Sequence, residues 1–257
     1  MDRPLSKHSA LVVDQFTKQS ETFATAPALS DSAAMELLVK ACQVTRQDII
    51  LDVACGAGIV ACYLAHLAHH VTGIDITPAM IELCRDRQSK ENLNNLSWHL
   101  GEVLPLPMAD ATFTLVTSRY AFHHFTEPAK ILQEMARVCV PGGRIAIVDV
   151  TPQPETLLRY NAMEKLRDPS HAAALTCDEF LQMGAELGLK LLSKHSYSMN
   201  LTVDQVLSAS FPNSGDDQRI REQFEEDAKT GCLGVGTFRK DGQLHFGYPI
   251  SIAIWNR

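Results

Sequence analysis

Short apolar segments alternate with amphipathic segments along the first 150 residues of the chain. The apolar segments predict five β-strands, at residues 49–53, 71–75, 96–100, 113–117 and 144–150. Between them, apolar positions recur every three or four residues, which predicts helices with one buried face. Strands and helices that alternate at this spacing predict a parallel sheet with helices on both of its faces.

The pattern changes after the fifth strand. Helical periodicity at residues 153–167 and 176–187 leads into a sixth strand at 189–197, and a last strand is predicted at 248–255. Residues 202–231, between these two strands, have a helical pattern with a dense run of charged side chains. Hairpin connections are much shorter than this segment, so we predict that it forms an inserted cap.

These elements predict an α/β fold with a doubly wound, mostly parallel, seven-stranded Rossmann-like sheet. Helices cover both faces, and a cap is inserted between the last strands. We expect residues 1–30 to form short helices that lead into the core, and residues 31–200 to form the core itself. The cap would span residues 201–245, and residues 246–257 would return to the core as its last strand.

Charge and composition exclude several classes of protein. The formal net charge is −7 and no basic stripe occurs, which argues against a protein that binds nucleic acid through its phosphates. No apolar stretch approaches the roughly 18 residues that a membrane-spanning helix requires, so we expect no integral membrane segment.

The seven cysteines follow no C-x-x-C pattern, and residues 1–15 lack the apolar centre of a secretory signal. We therefore expect reduced thiols and a cytoplasmic location. Histidines and cysteines do not recur at metal-ligand spacing, so no metal site is predicted.

A glycine-rich loop follows the first strand and opens the next helix. Gly56 and Gly58 allow the backbone to turn tightly and to approach a ligand closely. In a doubly wound sheet this is where an adenosine-containing cofactor binds, and the G-x-G-x-x-A spacing also fits a dinucleotide. Asp75, at the end of the second strand, could accept hydrogen bonds from ribose hydroxyls in either case.

Three features favour S-adenosylmethionine over a dinucleotide. Asp52 precedes the glycines, where a carboxylate would repel a pyrophosphate but attract an ammonium and a sulfonium. Glu102 follows the third strand and could accept a hydrogen bond from the adenine amino group. Residues 134–144 place a helix, a Pro-Gly-Gly turn and a strand in succession.

Together these segments resemble the class I S-adenosylmethionine-dependent methyltransferases, in particular the ubiquinone and menaquinone biosynthesis branch. The resemblance covers about residues 10–195 and fades after Leu201. The segments that carry it are residues 52–58, 73–80, 101–107 and 121–125 and the Pro-Gly-Gly turn at 141–143.

The resemblance implies a role for each part of the loop region. Gly56 and Gly58 would line the methionine part of S-adenosylmethionine. Asp75 would hold the ribose, and Ile76 and Met80 would pack against the adenine.

It also implies contacts further along the chain. Glu102 and the Val103 backbone would bind the adenine edge, and Ser118 and Arg119 would flank the methyl-transfer centre. Phe16 and Phe23 would belong to a lid helix that closes over the cofactor, or could simply pack in the core. The complete expected cofactor-binding set is Asp52, Ala54, Gly56, Gly58, Asp75, Ile76, Met80, Glu102, Val103, Ser118, Arg119 and Phe23. Two members depart from common family usage, since Ala54 stands where glycine is frequent and Glu102 where aspartate is frequent.

Candidate catalytic residues lie beyond the fourth strand. Methyl transfer needs a base only when the acceptor must lose a proton, and His124 or His123 could be that base. Both could instead pack and cap the loop. Tyr120 could contact substrate or cofactor, or form part of the wall. His171 could face the substrate, or could belong to a structural turn with its polar neighbours.

We therefore expect an enzyme that transfers a methyl group to an oxygen, nitrogen, sulfur or carbon atom of a small-molecule acceptor, as a monomer or homodimer. Two alternatives remain, a C-methyltransferase of a quinone precursor and a non-catalytic protein that binds S-adenosylmethionine. An NAD-dependent oxidoreductase is disfavoured by Asp52 and by the lack of a Tyr-x-x-x-Lys pair.

Overall fold

The computed structural model describes residues 5–25 and 31–257, without the side chains of residues 23–25. Within these ranges the chain forms one mixed sheet. Its strands are β1 (Ile49–Val53), β2 (His70–Asp75), β3 (Leu96–Leu100), β4 (Phe113–Arg119), β5 (Cys139–Val150), β6 (Lys190–Thr202), β7 (Phe238–Lys240) and β8 (Gln243–Asn256).

The sheet has the strand order β3-β2-β1-β4-β5-β8-β6, and β7 pairs with β8 outside this path. Strands β1 to β5 are parallel to one another, whereas β8 runs antiparallel to both β5 and β6. The predicted doubly wound, mostly parallel sheet is therefore confirmed, with one antiparallel part and one additional short strand. Strand order reverses between β1 and β4, the place where ligands bind in open α/β sheets.

Helices cover both faces of the sheet. They are α1 (Lys7–Thr25), α2 (Ser32–Cys42), α3 (Ile59–Ala65), α4 (Pro78–Lys90), α5 (Pro128–Val138), α6 (Leu157–Arg167), α7 (Cys177–Glu186), α8 (Val203–Ser208) and α9 (Asp216–Thr230). Several begin where the sequence provides a start signal. Asp31 accepts a hydrogen bond from the Ala33 backbone N–H at 2.9 Å to cap α2. Pro78 and Pro128 occupy the first turns of α4 and α5.

Two apolar cores lie on opposite faces of the sheet. Ile50 and Leu51 of β1 are both completely buried, and they belong to different cores because neighbouring strand residues point to opposite faces. Ile50 packs in the cluster that contains residues of α2 and α3, and Leu51 in the cluster that contains residues of α5. This double burial explains why the central strands are apolar at nearly every position.

The second half of the chain departs from the sequence-based boundaries. Strands β6 and β8 pair along most of their length, from Lys190 with Asn256 to Thr202 with His245, so both are longer than the pattern indicated. Residues 202–231 form two helices rather than one continuous helix. The Pro-Gly-Gly segment lies inside β5 as an irregularity, with Gly142 at a φ of 78°, instead of forming a separate turn.

Across the ranges that the structure describes, no helix combines the length and apolar character that crossing a membrane requires. All seven cysteines are free thiols.

Candidate active site

A cavity of about 770 Å³ lies where β1, β2 and β4 end. Its wall is formed by the segments that follow β1, β2, β3 and β4, and the helix α1 lies across it. We call α1 the lid helix, because His8, Ser9, Val12 and Phe16 line the cavity from its side. The volume is within the range of about 300–1,000 Å³ that is usual for small-molecule sites.

The two glycines of the first loop have different surroundings. Both have positive φ angles, 51° at Gly56 and 73° at Gly58, which side chains with a Cβ rarely adopt. Gly56 lines the cavity, and a Cβ added to it would meet no atom within 4 Å. A Cβ on Gly58 would lie 2.9 Å from Cys84 Sγ and 3.0 Å from the Trp98 ring, so Gly58 allows close packing behind the loop.

Asp75 ties the end of β2 to this loop. Its Oδ2 accepts a hydrogen bond from the Gly56 backbone N–H at 2.9 Å, and its Oδ1 accepts one from the Thr77 N–H at 2.8 Å. Burial raises the pKa of the Asp75 carboxyl, and the hydrogen bonds from Thr77 and Gly56 oppose that effect. Ile76 also lines the cavity, whereas Met80 is completely buried behind it.

Asp52 lies behind the loop and is 1% exposed. Its Oδ2 is buried and has no hydrogen-bond partner among the described residues. Burial raises the pKa of the Asp52 carboxyl to about 7, against the opposing charge of Arg119. An acceptor without a donor at this position fits a ligand that brings a positive charge or an N–H group.

Two hydrogen bonds attach the lid helix to the cavity wall. Ser9 Oγ donates to Glu102 Oε1 at 3.0 Å, and His8 Nε2 donates to the His124 carbonyl oxygen at 2.7 Å. Glu102 and Val103 line the cavity after β3. The lid helix is therefore held closed from the end of β3 and from the segment after β4.

Tyr120 lines the cavity with a left-handed backbone, at a φ of 57°. Its hydroxyl lies 2.6 Å from the Tyr197 hydroxyl of β6 and accepts a hydrogen bond from Arg119 Nη2 at 3.3 Å. The Arg119 guanidinium also lies 4.3 Å from the centre of the Tyr120 ring. A positive φ is uncommon for an aromatic residue and is frequent at functional sites.

His123 and His124 form part of a short 3-10 turn, Phe122–His124. Their ring centroids are 4.3 Å apart. His123 Nδ1 donates to Asp149 Oδ1 at 2.6 Å, and although burial disfavours its charged form, this carboxylate raises the pKa of His123. His124 lines the cavity, and burial together with the charge of His123 lowers its pKa to about 3. Neighbouring imidazoles with opposite pKa shifts are typical of acid–base sites.

His171 lies outside the cavity wall and is completely buried. Its Nε2 bonds to Asn161 Oδ1 at 2.8 Å, and burial lowers its pKa to about 2. The Ser170 backbone N–H donates to Asp168 Oδ1 at 2.8 Å, which is the local hydrogen bond of a turn.

The expected site residues fall into two groups. Those that line the cavity are Ala54, Gly56, Asp75, Ile76, Glu102, Val103, Arg119, Tyr120 and His124. Those that lie behind its wall are Asp52, Gly58, Met80, Ser118 and His123. The side chain of Phe23 lies outside the described residues. Phe16 lines the cavity, and its ring meets His124 edge to face with the centroids 5.0 Å apart.

Asp149 is the main residue that the sequence analysis missed. Besides His123, it accepts a hydrogen bond from the Phe122 backbone N–H at 2.6 Å and thereby fixes the turn that carries both histidines. A signal existed, because Asp149 is an acid at the carboxyl end of a buried strand, as Asp52 and Asp75 are.

The known proteins to which this chain is similar are described as methyltransferases. The sequence model of a family described as a methyltransferase domain matches residues 51–147. YcgJ of Bacillus subtilis, an uncharacterized methyltransferase, is 29% identical over 245 residues, which are 93% of this chain and 94% of YcgJ. The demethylmenaquinone methyltransferase of Deinococcus radiodurans is 36% identical over 105 residues, which are 40% of this chain and 43% of that enzyme.

Solved structures have the same fold. The crystal structure of YcgJ superposes with a TM-score of 0.80 at 22% identity, covering 88% of this chain and 98% of YcgJ. A SAM-dependent methyltransferase of Aquifex aeolicus superposes with a TM-score of 0.56 at 22% identity, covering 69% of this chain and 90% of that protein.

Proposed function

We propose that the chain is a class I S-adenosylmethionine-dependent methyltransferase, which the methyltransferase-domain match over residues 51–147 and the similarity to YcgJ support, and that it methylates a small molecule held beneath the lid helix. The observation that carries the proposal is a cavity of small-molecule size that lies beneath the lid helix. Hydrogen bonds from Ser9 and His8 hold the lid helix against both sides of a space of about 770 Å³. A space of this size beneath a helix favours a small acceptor over a protein or nucleic-acid chain.

The residues at the loop edge fit S-adenosylmethionine. Gly56 leaves open space beside the backbone, Asp75 and Glu102 present carboxylates to the cavity, and Asp52 has an unpaired buried oxygen behind them. Acidic groups of this kind suit a cationic ligand and disfavour a pyrophosphate. When bound, S-adenosylmethionine supplies an electrophilic methyl group on a sulfonium centre.

Each of these residues would then have a positional role. Asp75 would accept hydrogen bonds from the ribose hydroxyls, and Glu102 would accept one from the adenine amino group. Ile76 and Val103 would pack against the base. Phe16 and the rest of the lid helix would exclude water and fix the acceptor in line with the methyl group, the main contribution a protein makes to such a transfer.

His124 and Tyr120 are the residues that we place next to the acceptor. The low pKa of His124 keeps its imidazole neutral at pH 7, so one ring nitrogen has a lone pair that can accept a hydrogen bond. His123, fixed by Asp149, would hold the turn in place from behind. Tyr120, fixed by Arg119 and Tyr197, would form the adjoining wall.

C-methylation of a quinone precursor is a second candidate, favoured by the similarity to demethylmenaquinone methyltransferases. That similarity covers less than half of this chain, so it supports a common cofactor-binding core more than a common acceptor. Nothing in the described site favours a protein that binds the cofactor without catalysis.

Transfer of a radioactive methyl group would test the proposal. The protein is incubated with S-adenosylmethionine carrying a tritiated methyl group and with the separated small-molecule, protein and nucleic-acid fractions of a cell extract. We expect label in the small-molecule fraction and none above the level of the Asp75→Ala variant in the other two. Label confined to protein or nucleic acid would exclude a small-molecule acceptor, and label that an organic solvent extracts from the small-molecule fraction would favour the quinone candidate.

A further inference from the structure

The hydrogen bonds around His124 define which of its ring nitrogens carries a hydrogen. Nδ1 lies 3.1 Å from the Ser170 carbonyl oxygen and 3.1 Å from Ser170 Oγ. A carbonyl oxygen can only accept, so Nδ1 must be the donor. Ser170 Oγ donates its own hydrogen to Asp168 Oδ1 at 2.6 Å, so it too accepts from Nδ1. The neutral ring therefore carries its lone pair on Nε2.

Nε2 of His124 has no hydrogen-bond partner in the part of the chain that the structure describes. The residue lines the cavity and keeps 7% of its surface exposed. A lone pair without a partner at the wall of a cavity is an acceptor for a group of the ligand.

Asp168 connects this arrangement to the lid helix. The Asp168 carboxylate is 1% exposed, and its Oδ2 accepts a hydrogen bond from Gln19 Nε2 of the lid helix at 3.0 Å. A continuous series of hydrogen bonds thus runs from the lid helix to the cavity wall, through Gln19, Asp168, Ser170 and His124. All of its links are buried, and hydrogen bonds to a buried carboxylate are stronger than those between neutral groups.

The titratable and charged groups that face His124 come from several elements. The lid helix brings His8, and the 3-10 turn brings His123. The segment between α6 and α7 brings His171, with its ring centroid 6.5 Å away, and Asp168, while α6 brings Arg167. Arg167 is paired with Glu164 at 2.6 Å, and Asp149 is paired with His123. Asp168 is the carboxylate that acts directly on His124, and its charge would stabilise an imidazolium there.

We propose that Asp168 and Ser170 position His124 as the proton acceptor for a methyl acceptor that carries an O–H or N–H group. The inference rests on the proposed function and narrows it to a class of acceptor. A new bond joins the acceptor's oxygen or nitrogen to the methyl carbon, while the methyl–sulfur bond breaks and leaves its electron pair on sulfur. The acceptor's proton passes to Nε2 of His124 and later to solvent.

Charge is conserved in this step, since the sulfonium charge disappears as the imidazolium charge forms. Asp168 and Ser170 do not touch the acceptor and are positioning residues. Gln19 makes their arrangement depend on the closed lid, so proton transfer is favoured only when water is excluded. An acceptor without a removable proton, such as a thioether, would not require a proton acceptor at His124.

Nitrogen-15 NMR of the histidine rings tests the arrangement without any acceptor. With S-adenosylhomocysteine present, we expect the His124 signals of an imidazole protonated at Nδ1, across the range from pH 6 to 8. Ser170→Ala and Asp168→Asn both keep the Ser170 carbonyl oxygen as an acceptor for Nδ1, so both variants should show the same tautomer. Finding the tautomer protonated at Nε2 in the unaltered protein would overturn the proposal, whether or not the protein has activity.

Label transfer to the small-molecule fraction tests the role of His124 in catalysis. General acid–base groups contribute about 100-fold or more, so His124→Gln should lower kcat by at least about 100-fold. Asp168→Asn should lower kcat about tenfold with little change in the KM for S-adenosylmethionine, because the turn that contains Asp168 and Ser170 keeps its shape. Product that carries the label on sulfur, or an unaltered kcat in His124→Gln, would contradict the proposal.

A compensating change distinguishes positioning from simple packing. In the Asp168→Asn variant the new amide nitrogen would lie against the amide nitrogen of Gln19, which places two donors in contact. In the Gln19→Glu/Asp168→Asn double variant, the carboxylate introduced at position 19 accepts a hydrogen bond from the amide nitrogen introduced at position 168. It also restores the negative charge that Asp168→Asn removes. We expect the double variant to recover at least half of the lost kcat. A double variant without recovery would contradict the proposal that these hydrogen bonds position His124. Absence of label with the unaltered protein would refute the proposed function instead, and the NMR result would still stand.

Discussion

The backbone N–H of Gly56 donates a hydrogen bond to the Asp75 carboxylate at 2.9 Å, so the glycine loop and the end of β2 form one rigid unit. The second oxygen of Asp75 is held by Thr77. A carboxylate offers about four acceptor positions, so two hydrogen bonds from the protein leave room for the hydroxyls of a ribose. The loop and the acid are therefore a preformed half of the cofactor site.

Replacing Asp75 should weaken cofactor binding. We expect Asp75→Ala to lower the affinity for S-adenosylhomocysteine at least tenfold, because charge-assisted hydrogen bonds are lost and the loop loses its anchor at Gly56. Isothermal titration calorimetry measures the change. Glu127→Ala is a matched control, since Glu127 also lines the cavity but is 49% exposed and paired with Lys130. An equal loss in both variants would mean that total charge matters and not the contact at Asp75.

The two loop glycines should respond differently to the same substitution. Gly56→Ala places a Cβ in open space at the cavity, so the protein should fold with a penalty of about 1 kcal/mol from the positive φ. Its affinity for S-adenosylhomocysteine should nevertheless fall strongly. Gly58→Ala places a Cβ against Cys84 and Trp98 and should lower the free energy of unfolding by about 2 kcal/mol or more. Urea unfolding and calorimetry measure the two effects in both variants. A larger loss of stability in Gly56→Ala, or a larger loss of affinity in Gly58→Ala, would contradict this reasoning.

Asp52 should make stability depend on pH. The pKa of its carboxyl rises from an ordinary value of 3.8 to about 7 in the folded protein. Between these values the folded state holds a proton that the unfolded state lacks, so this contribution is complete below about pH 4 and is lost as the pH rises to about 7. The amide in Asp52→Asn cannot titrate, so the variant does not lose stability in this way as the pH rises. Relative to the unaltered protein, the variant should gain on the order of 1 kcal/mol or more between pH 5 and pH 8 in urea unfolding. An equal difference at both pH values would mean that the carboxyl is ionised throughout.

The elements that position the cofactor site were predictable because their signals are local. β1 and β2 are short apolar segments, and Gly56, Asp75 and Glu102 lie at or just after the ends of β1, β2 and β3, so they could be placed at one edge of the sheet. The alternation of Tyr197, Met199 and Leu201 with polar neighbours is also a strand signal. It extends β6 beyond its predicted end at residue 197, because these residues pair with β8.

The contacts around the histidines were not predictable, because they join distant parts of the chain. Gln19 and Asp168 are separated by 149 positions, and His123 and Asp149 by 26. A pattern along the sequence places a histidine after a strand but does not show which carboxylate faces it. The His124 tautomer depends on Ser170, 46 positions away, and follows only from the folded structure.

The hydrogen bond from Ser9 to Glu102 should control how long the cofactor stays bound. It joins the lid helix to the wall at 3.0 Å and involves a charged acceptor, so its loss in Ser9→Ala should favour opening of the lid. We expect S-adenosylhomocysteine to dissociate about tenfold faster, as measured by stopped-flow fluorescence. Thr17→Ala removes a hydroxyl from the exposed side of the same helix, where Thr17 Oγ1 bonds only to the Val13 carbonyl within the helix, and should leave the rate unaltered. Equal dissociation rates in Ser9→Ala and the unaltered protein would show that this hydrogen bond does not hold the lid helix closed over the cofactor.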